Sequence, residues 1–145
     1  MAAEDYDHGI YRDLGDGIHY VPVLASATWA AGDFIELTDG SGYAQSSDAG
    51  DLAYGVAVSH MTSDMSPSTS GDITAPVYVG YNNQYIYPPD TGTVTLALRQ
   101  KKMDIGGAGT VNIDASTDGI LLCVDVDIPN NKVIVQLLPA VWAGV

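Results

Sequence analysis

Residues Ile120-Leu121-Leu122-Cys123-Val124-Asp125-Val126-Asp127-Ile128 decide the fold class. Along this stretch Ile120, Leu122, Val124, Val126 and Ile128 recur at every second position, and Asp125 and Asp127 fall between them. Successive side chains of an extended chain point to opposite faces, so this period predicts a half-buried β-strand with the five aliphatic residues inward. Val133, Val135 and Leu137 repeat the pattern downstream. Upstream, Val94, Leu96 and Leu98 alternate with Thr93, Thr95 and Arg99. Shorter runs at Val21 and Val23, Ile35 and Leu37, Tyr54, Val56 and Val58, and Val77, Val79 and Tyr81 bring the expected count to about seven or eight strands. A helical period is sustained nowhere for more than a few residues.

Turn chemistry separates these runs. Asp16-Gly17, Asp39-Gly40 and Asp118-Gly119 suit the positive φ angles of tight hairpins, and Pro129-Asn130-Asn131-Lys132 reads as a fourth reversal. Gly-Asp precedes an apolar strand start three times, at Gly32-Asp33, Gly50-Asp51 and Gly71-Asp72, without the regular spacing of a solenoid or propeller. The acidic set is 16 Asp and only 2 Glu, and with 16 Gly and 7 Pro it forms turns rather than helices. The expectation is an all-β, compact antiparallel sandwich or barrel-like domain. At 145 residues, 46% of them apolar, the chain supports one sizeable core. Residues 20–145 are therefore assigned to a single domain. Residues 1–19, rich in Asp and Gly and poor in aliphatics, are expected to be a flexible arm. His60–Gly71 is expected to be an exposed loop.

Five Lys and Arg against 18 Asp and Glu give a formal net charge of −13, which argues against nucleic-acid or anionic-membrane partners. No run reaches the length of a membrane span, and the acidic N-terminus lacks the pattern of a secretory signal. The lone Cys123 has no partner for an internal disulfide and sits in an apolar strand pattern, the setting of an inert thiol.

No catalytic constellation stands out, and the chain is expected to be neither an enzyme nor a cofactor protein. His8, His19 and His60 are dispersed and read as surface residues. Ser41, between Gly40 and Gly42, lacks a nucleophile elbow, and Gly106-Gly107-Ala108-Gly109 lacks the Lys and Ser/Thr of a phosphate loop. Those glycines are better explained by close backbone approach. Asp125, Asp127, Asn130 and Asn131 offer oxygen ligands for a hard cation, but they equally fit a strand face followed by a turn. Two biases point to contacts instead. Arg99, Lys101 and Lys102 crowd together on an acidic body, which suits contact with a neighbouring acidic chain or protection of a strand end. Tyr78, Tyr81, Tyr85 and Tyr87 suit a structural layer, a protein interface or a sugar-stacking surface.

The segments Ala31-Gly32-Asp33-Phe34-Ile35-Glu36-Leu37 and Gly50-Asp51-Leu52-Ala53-Tyr54-Gly55-Val56-Ala57-Val58, with the closing Asn131-Lys132-Val133-Ile134-Val135-Gln136-Leu137, resemble the small decoration, or cement, proteins that coat tailed-bacteriophage capsids. The resemblance covers residues 20–138 and consists of turn-and-strand grammar. It implies a β-tulip-type module, commonly a homotrimer, placed on the outer virion surface where major capsid protein subunits meet. It also implies an N-terminal arm that engages the capsid. On that basis Tyr6, Ile10, Tyr11 and Ile18 are expected as capsid anchors, with Asp5, Asp7 and Asp13 as rim charges. Arg99, Lys101 and Lys102 are expected between protomers. The competing expectation is a carbohydrate- or receptor-binding module using Tyr78, Tyr81, Tyr85 and Tyr87.

Overall fold

A computed structural model describes residues 8–38 and 40–139. Eleven strands are present among them: β1 (Gly9–Arg12), β2 (Ile18–Pro22), β3 (Phe34–Leu37), β4 (Ala44–Ser46), β5 (Gly55–Ala57), β6 (Thr74–Tyr78), β7 (Gln84–Tyr87), β8 (Lys102–Gly107), β9 (Thr110–Asn112), β10 (Leu121–Asp127) and β11 (Lys132–Leu137). They form two antiparallel sheets, one ordered β1-β7-β11-β10-β8-β9 and the other β2-β6-β5-β3-β4. The chain is thus an all-β sandwich. A parallel bridge from Val23 to Ala44 brings the end of β2 to β4 and curls the five-stranded sheet without making a continuous barrel.

This curl gives the molecule two hydrophobic cores. Phe34, Val56, Tyr85, Tyr87, Met103, Ile105, Leu121, Val133 and Val135 fill the space between the sheets. Val21, Val23, Trp29, Ile35, Ala44, Ala57 and Val77 fill the inside of the curled sheet. Adjacent residues Phe34 and Ile35 therefore point into different cores and are both fully buried, as are Val56 and Ala57 on β5. Gly55 sits where β5 passes β6, and a Cβ there would lie 2.1 Å from the Tyr78 carbonyl oxygen.

The strand expectations hold at β11, where Val133, Val135 and Leu137 are buried, and fail in phase at β10. Leu121 and Cys123 face the core there, rather than Leu122 and Val124. The register slips between Cys123 and Asp125, a bulge that keeps Asp125 outside and turns Val126 against the core. Val94, Leu96 and Leu98 do not form a strand. Leu96–Leu98 is a 3-10 turn with Leu96 outside and Val94 and Leu98 inside, and the Val94 amide donates to Asn131 Oδ1 at 2.7 Å.

Asn131 closes the β10–β11 hairpin with φ of 54°, as its turn chemistry predicted. Gly17, Gly40 and Gly119 also have positive φ. The Asp16-Gly17 and Asp118-Gly119 turns nevertheless join non-adjacent strands and are held by side chains. Buried Asp104 accepts the Asp118 and Gly119 amides at 3.0 and 2.7 Å. The three Gly-Asp echoes share one device: the Asp33, Asp51 and Asp72 amides each donate to the carbonyl three residues back, across a glycine of positive φ. That is the turn that takes Gly at its third position. The 58–73 stretch is a loop, although Met61 and Pro67 within it are buried.

From Gly9 onward the N-terminal segment is not a free arm. β1 pairs with β7, and β2 pairs with β6 over five residues. Composition underrated this segment because strand pairing satisfies its backbone without requiring its side chains to be buried. Residues 1–7 lie outside the described residues.

Candidate functional site

β1 and β2 are the edge strands of their respective sheets, and their side chains mostly face outward. Ile10 is 36% exposed, Tyr11 51%, Leu14 50%, Ile18 44% and Tyr20 71%. Five large apolar side chains within eleven residues are left in water at two sheet edges, where backbone groups also lack a neighbouring strand. Such an edge is an adhesion surface unless something covers it. Ile10, Tyr11 and Ile18 are among the anchors expected from the sequence, and exposed Asp13 flanks them. Tyr6, Asp5 and Asp7 lie outside the described residues. Leu14 and Tyr20 extend the surface. Their signal is present in the sequence as apolar residues on either side of Asp-Gly, masked by the Asp- and Gly-rich composition around them.

Behind β1 runs a groove of about 460 Å³ between the sheets, lined by Ile10, Tyr11, Ala57, Val58, Tyr78 and Ile86. The segment is fixed at both ends. At its start His8 Nε2 meets Asp33 Oδ1 at 2.8 Å, and Gly9 rests on Gly32, where a Cβ would lie 2.8 Å from the Gly32 Cα. His8 is therefore largely enclosed, contrary to the surface reading. Between β1 and β2, the Asp16 carboxylate accepts the Asn82 and Asn83 amides at 2.6 and 2.8 Å and the Asn82 side-chain amide at 3.0 Å. Desolvation alone would raise this carboxyl, but the three donors outweigh it and hold Asp16 below its ordinary value.

The tyrosine expectation divides. Tyr81 is 54% exposed and Tyr78 half-buried, whereas Tyr85 and Tyr87 are fully buried and form no surface. Period-two alternation along β7 sends both into the inter-sheet core. Tyr87 stacks on Phe34 at 4.1 Å and donates its hydroxyl to the Gly32 carbonyl at 2.7 Å. Burial pushes the Tyr85 hydroxyl up to about 12 and that of Tyr87 well above its ordinary value. Tyr81 instead borders a depression of about 420 Å³ with Tyr54, His19 and Asp16, where His19 Nδ1 and the Tyr54 hydroxyl are 2.8 Å apart.

Arg99, Lys101 and Lys102 lie just before and at the start of β8. Arg99 and Lys101 are exposed and Lys102 is half-buried, and Arg99 Nε is 3.7 Å from Asp125 Oδ1. Asp127 caps Asn130, and Asn131 binds the Gly92–Val94 segment, so the proposed oxygen ligands are engaged in the hairpin. Among the described residues no three His, Cys, Asp or Glu side chains are placed to share a metal ion. Burial pushes the Cys123 thiol up to about 11. Gly106 packs on the Asp90 side chain and Gly109 on those of His8 and Asp33, so these glycines make room for side chains rather than for the second backbone expected.

A third concavity, of about 590 Å³, holds Glu36 beside Asp51, Leu52 and Gln45. Gln45 Nε2 donates to Glu36 Oε1 at 2.7 Å. Burial first, then the hydrogen-bonded Asp51 carboxyl, raise Glu36 above its usual range. Comparison with models of known protein families, with curated proteins and with solved structures finds no match to this chain.

Proposed function

We propose that this chain is a non-catalytic capsid decoration protein that binds the outer surface of a major capsid protein shell, as a homotrimer at three-fold positions, and stabilises the virion head. The observation that carries the reading is the set of exposed apolar residues Ile10, Tyr11, Leu14, Ile18 and Tyr20 on the edge strands β1 and β2 and the connection between them. Burying an aliphatic or aromatic side chain contributes about 1.5–3 kcal/mol. A few such anchors per copy bind weakly, and repetition over a shell multiplies them. The net charge of −13 favours a partner surface rich in Lys and Arg. A ligand that binds only the expanded shell stabilises that shell by mass action.

The test is co-sedimentation with purified expanded heads of tailed bacteriophages. Replacing Tyr11, Ile18 and Tyr20 together with Asp is expected to lower retention at least about tenfold, the effect of losing roughly 1.4 kcal/mol or more, without lowering the melting temperature. Undiminished retention, or no binding by the unaltered chain, rejects the reading.

The carbohydrate reading keeps one specific support, the depression formed by Tyr81, Tyr54 and His19. It moves the stacking surface away from buried Tyr85. Saturable binding on a glycan array, lost in Tyr81→Ala, would favour it over the capsid reading.

A further inference from the structure

We propose that β1 is an exchangeable strand: the slot along β7 that holds Gly9–Arg12 of its own chain also accepts the same strand from a second copy, giving strand-swapped oligomers. This goes beyond the capsid reading and does not depend on it. Three features of the molecule support it.

The first is that leaving the slot takes no side chain out of either core. Of β1's four residues only Gly9 is buried, and neither core contains a β1 side chain. The cost of opening is then the hydrogen bonds to β7, the His8–Asp33 contact and the partial cover of Ile10 and Tyr11 in the groove, all of which re-form when another copy supplies the strand.

The second is that the slot is shaped for this segment. A Cβ at Gly32 would lie 2.6 Å from the His8 carbonyl oxygen and 2.9 Å from the Gly9 Cα, so the two backbones touch through paired glycines. Asp33 lies beside them to receive an imidazole at 2.8 Å. An occupant must offer a histidine followed by glycine at the entrance of a strand. A second copy of this chain offers that by construction.

The third is the hinge. Asp16 is pinned to Asn82 and Asn83, so only Asp13–Gly15 is left to swing. Gly15 has φ of 85° and no neighbour within 4 Å of where a Cβ would be, so conformation alone explains the glycine there. Folding back also uses the Leu14 amide bond to Asn83 Oδ1 at 2.8 Å. A short connection with a special conformation favours exchange once that conformation is denied. Extended, the four steps from Asp16 to Arg12 span about 13 Å, so two copies must bring their β7 edges close together.

Gly15→Pro denies the turn, because proline fixes φ near −65°. At equal concentration this variant is expected to be heavier by light scattering than the unaltered chain, by at least one further 15.2 kDa chain. Its β1 amides should stay protected in hydrogen exchange. Adding Gly9→Val, which blocks the slot, is expected to return the double variant to the mass of Gly9→Val alone and to expose the β1 amides. A Gly15→Pro chain no heavier than the unaltered one overturns the proposal. So does added mass that survives Gly9→Val. Since β1 supplies no core residue, near-ultraviolet dichroism serves as the control that both variants keep their cores.

Discussion

Tyr87 joins parts of the molecule that are far apart in sequence, because its ring stacks on Phe34 while its hydroxyl reaches the Gly32 carbonyl, 55 residues away. Phenylalanine there would retain the stack and orphan a buried carbonyl. Tyr87→Phe is expected to cost about 1–3 kcal/mol in urea denaturation. Glu36 carries a pH signature of its own. Its pKa in the folded chain is raised above the ordinary 4.5, so its favourable contribution is complete below that value. The contribution is lost as pH rises through the folded value. Gln in place of Glu36 would still accept from Gln45 and would donate to Asp51 at every pH. Glu36→Gln is therefore expected to raise the melting temperature at pH 7 and to leave it nearly unchanged at pH 4. Asp16 has the opposite sign. Its pKa is depressed from 3.8, so its contribution is present above that value and disappears as pH falls through the folded one.

At the level of single elements, what could be read in advance depended on how many faces a strand buries. β11 buries Val133, Val135 and Leu137 as their period implies, with Ile134 buried beside them, and Asn131 makes the expected reversal. The β10 stretch has apolar residues at both parities from Ile120 to Val124, so its period named a strand and left its inward face undetermined. The bulge that sets that face has no sequence mark beyond the switch to Asp. β3 and β5 bury both faces, and their short Phe-Ile and Gly-Val-Ala runs carry no alternation to read. The apolar anchors of β1 and β2 were legible as residues, but their strand was not, because pairing to β7 and β6 is a long-range property. β5 is the element least tolerant of change. Gly55→Ala places a methyl group 2.1 Å from the Tyr78 carbonyl oxygen, with a core on either side to prevent retreat. The expected cost is above about 4 kcal/mol, seen as loss of soluble protein or of the cooperative denaturation step.

Taken as a whole, the molecule has its expected partner surface at one end of the chain and its chemistry-poor cores elsewhere, so changes to the exposed Ile10–Tyr20 set and changes to the interior should separate cleanly in binding and stability measurements. The two cores themselves are not separable. Phe34 and Ile35, consecutive along one strand, are each a wall of a different chamber, and Val56 and Ala57 repeat the arrangement next door. Emptying one chamber strips the partition from the other, so neither half has a state in which it survives alone. A calorimeter should accordingly trace one endotherm, with equal calorimetric and van't Hoff enthalpies, despite the twin interiors. Damage at the partition, wherever it begins, is felt by the entire body at once.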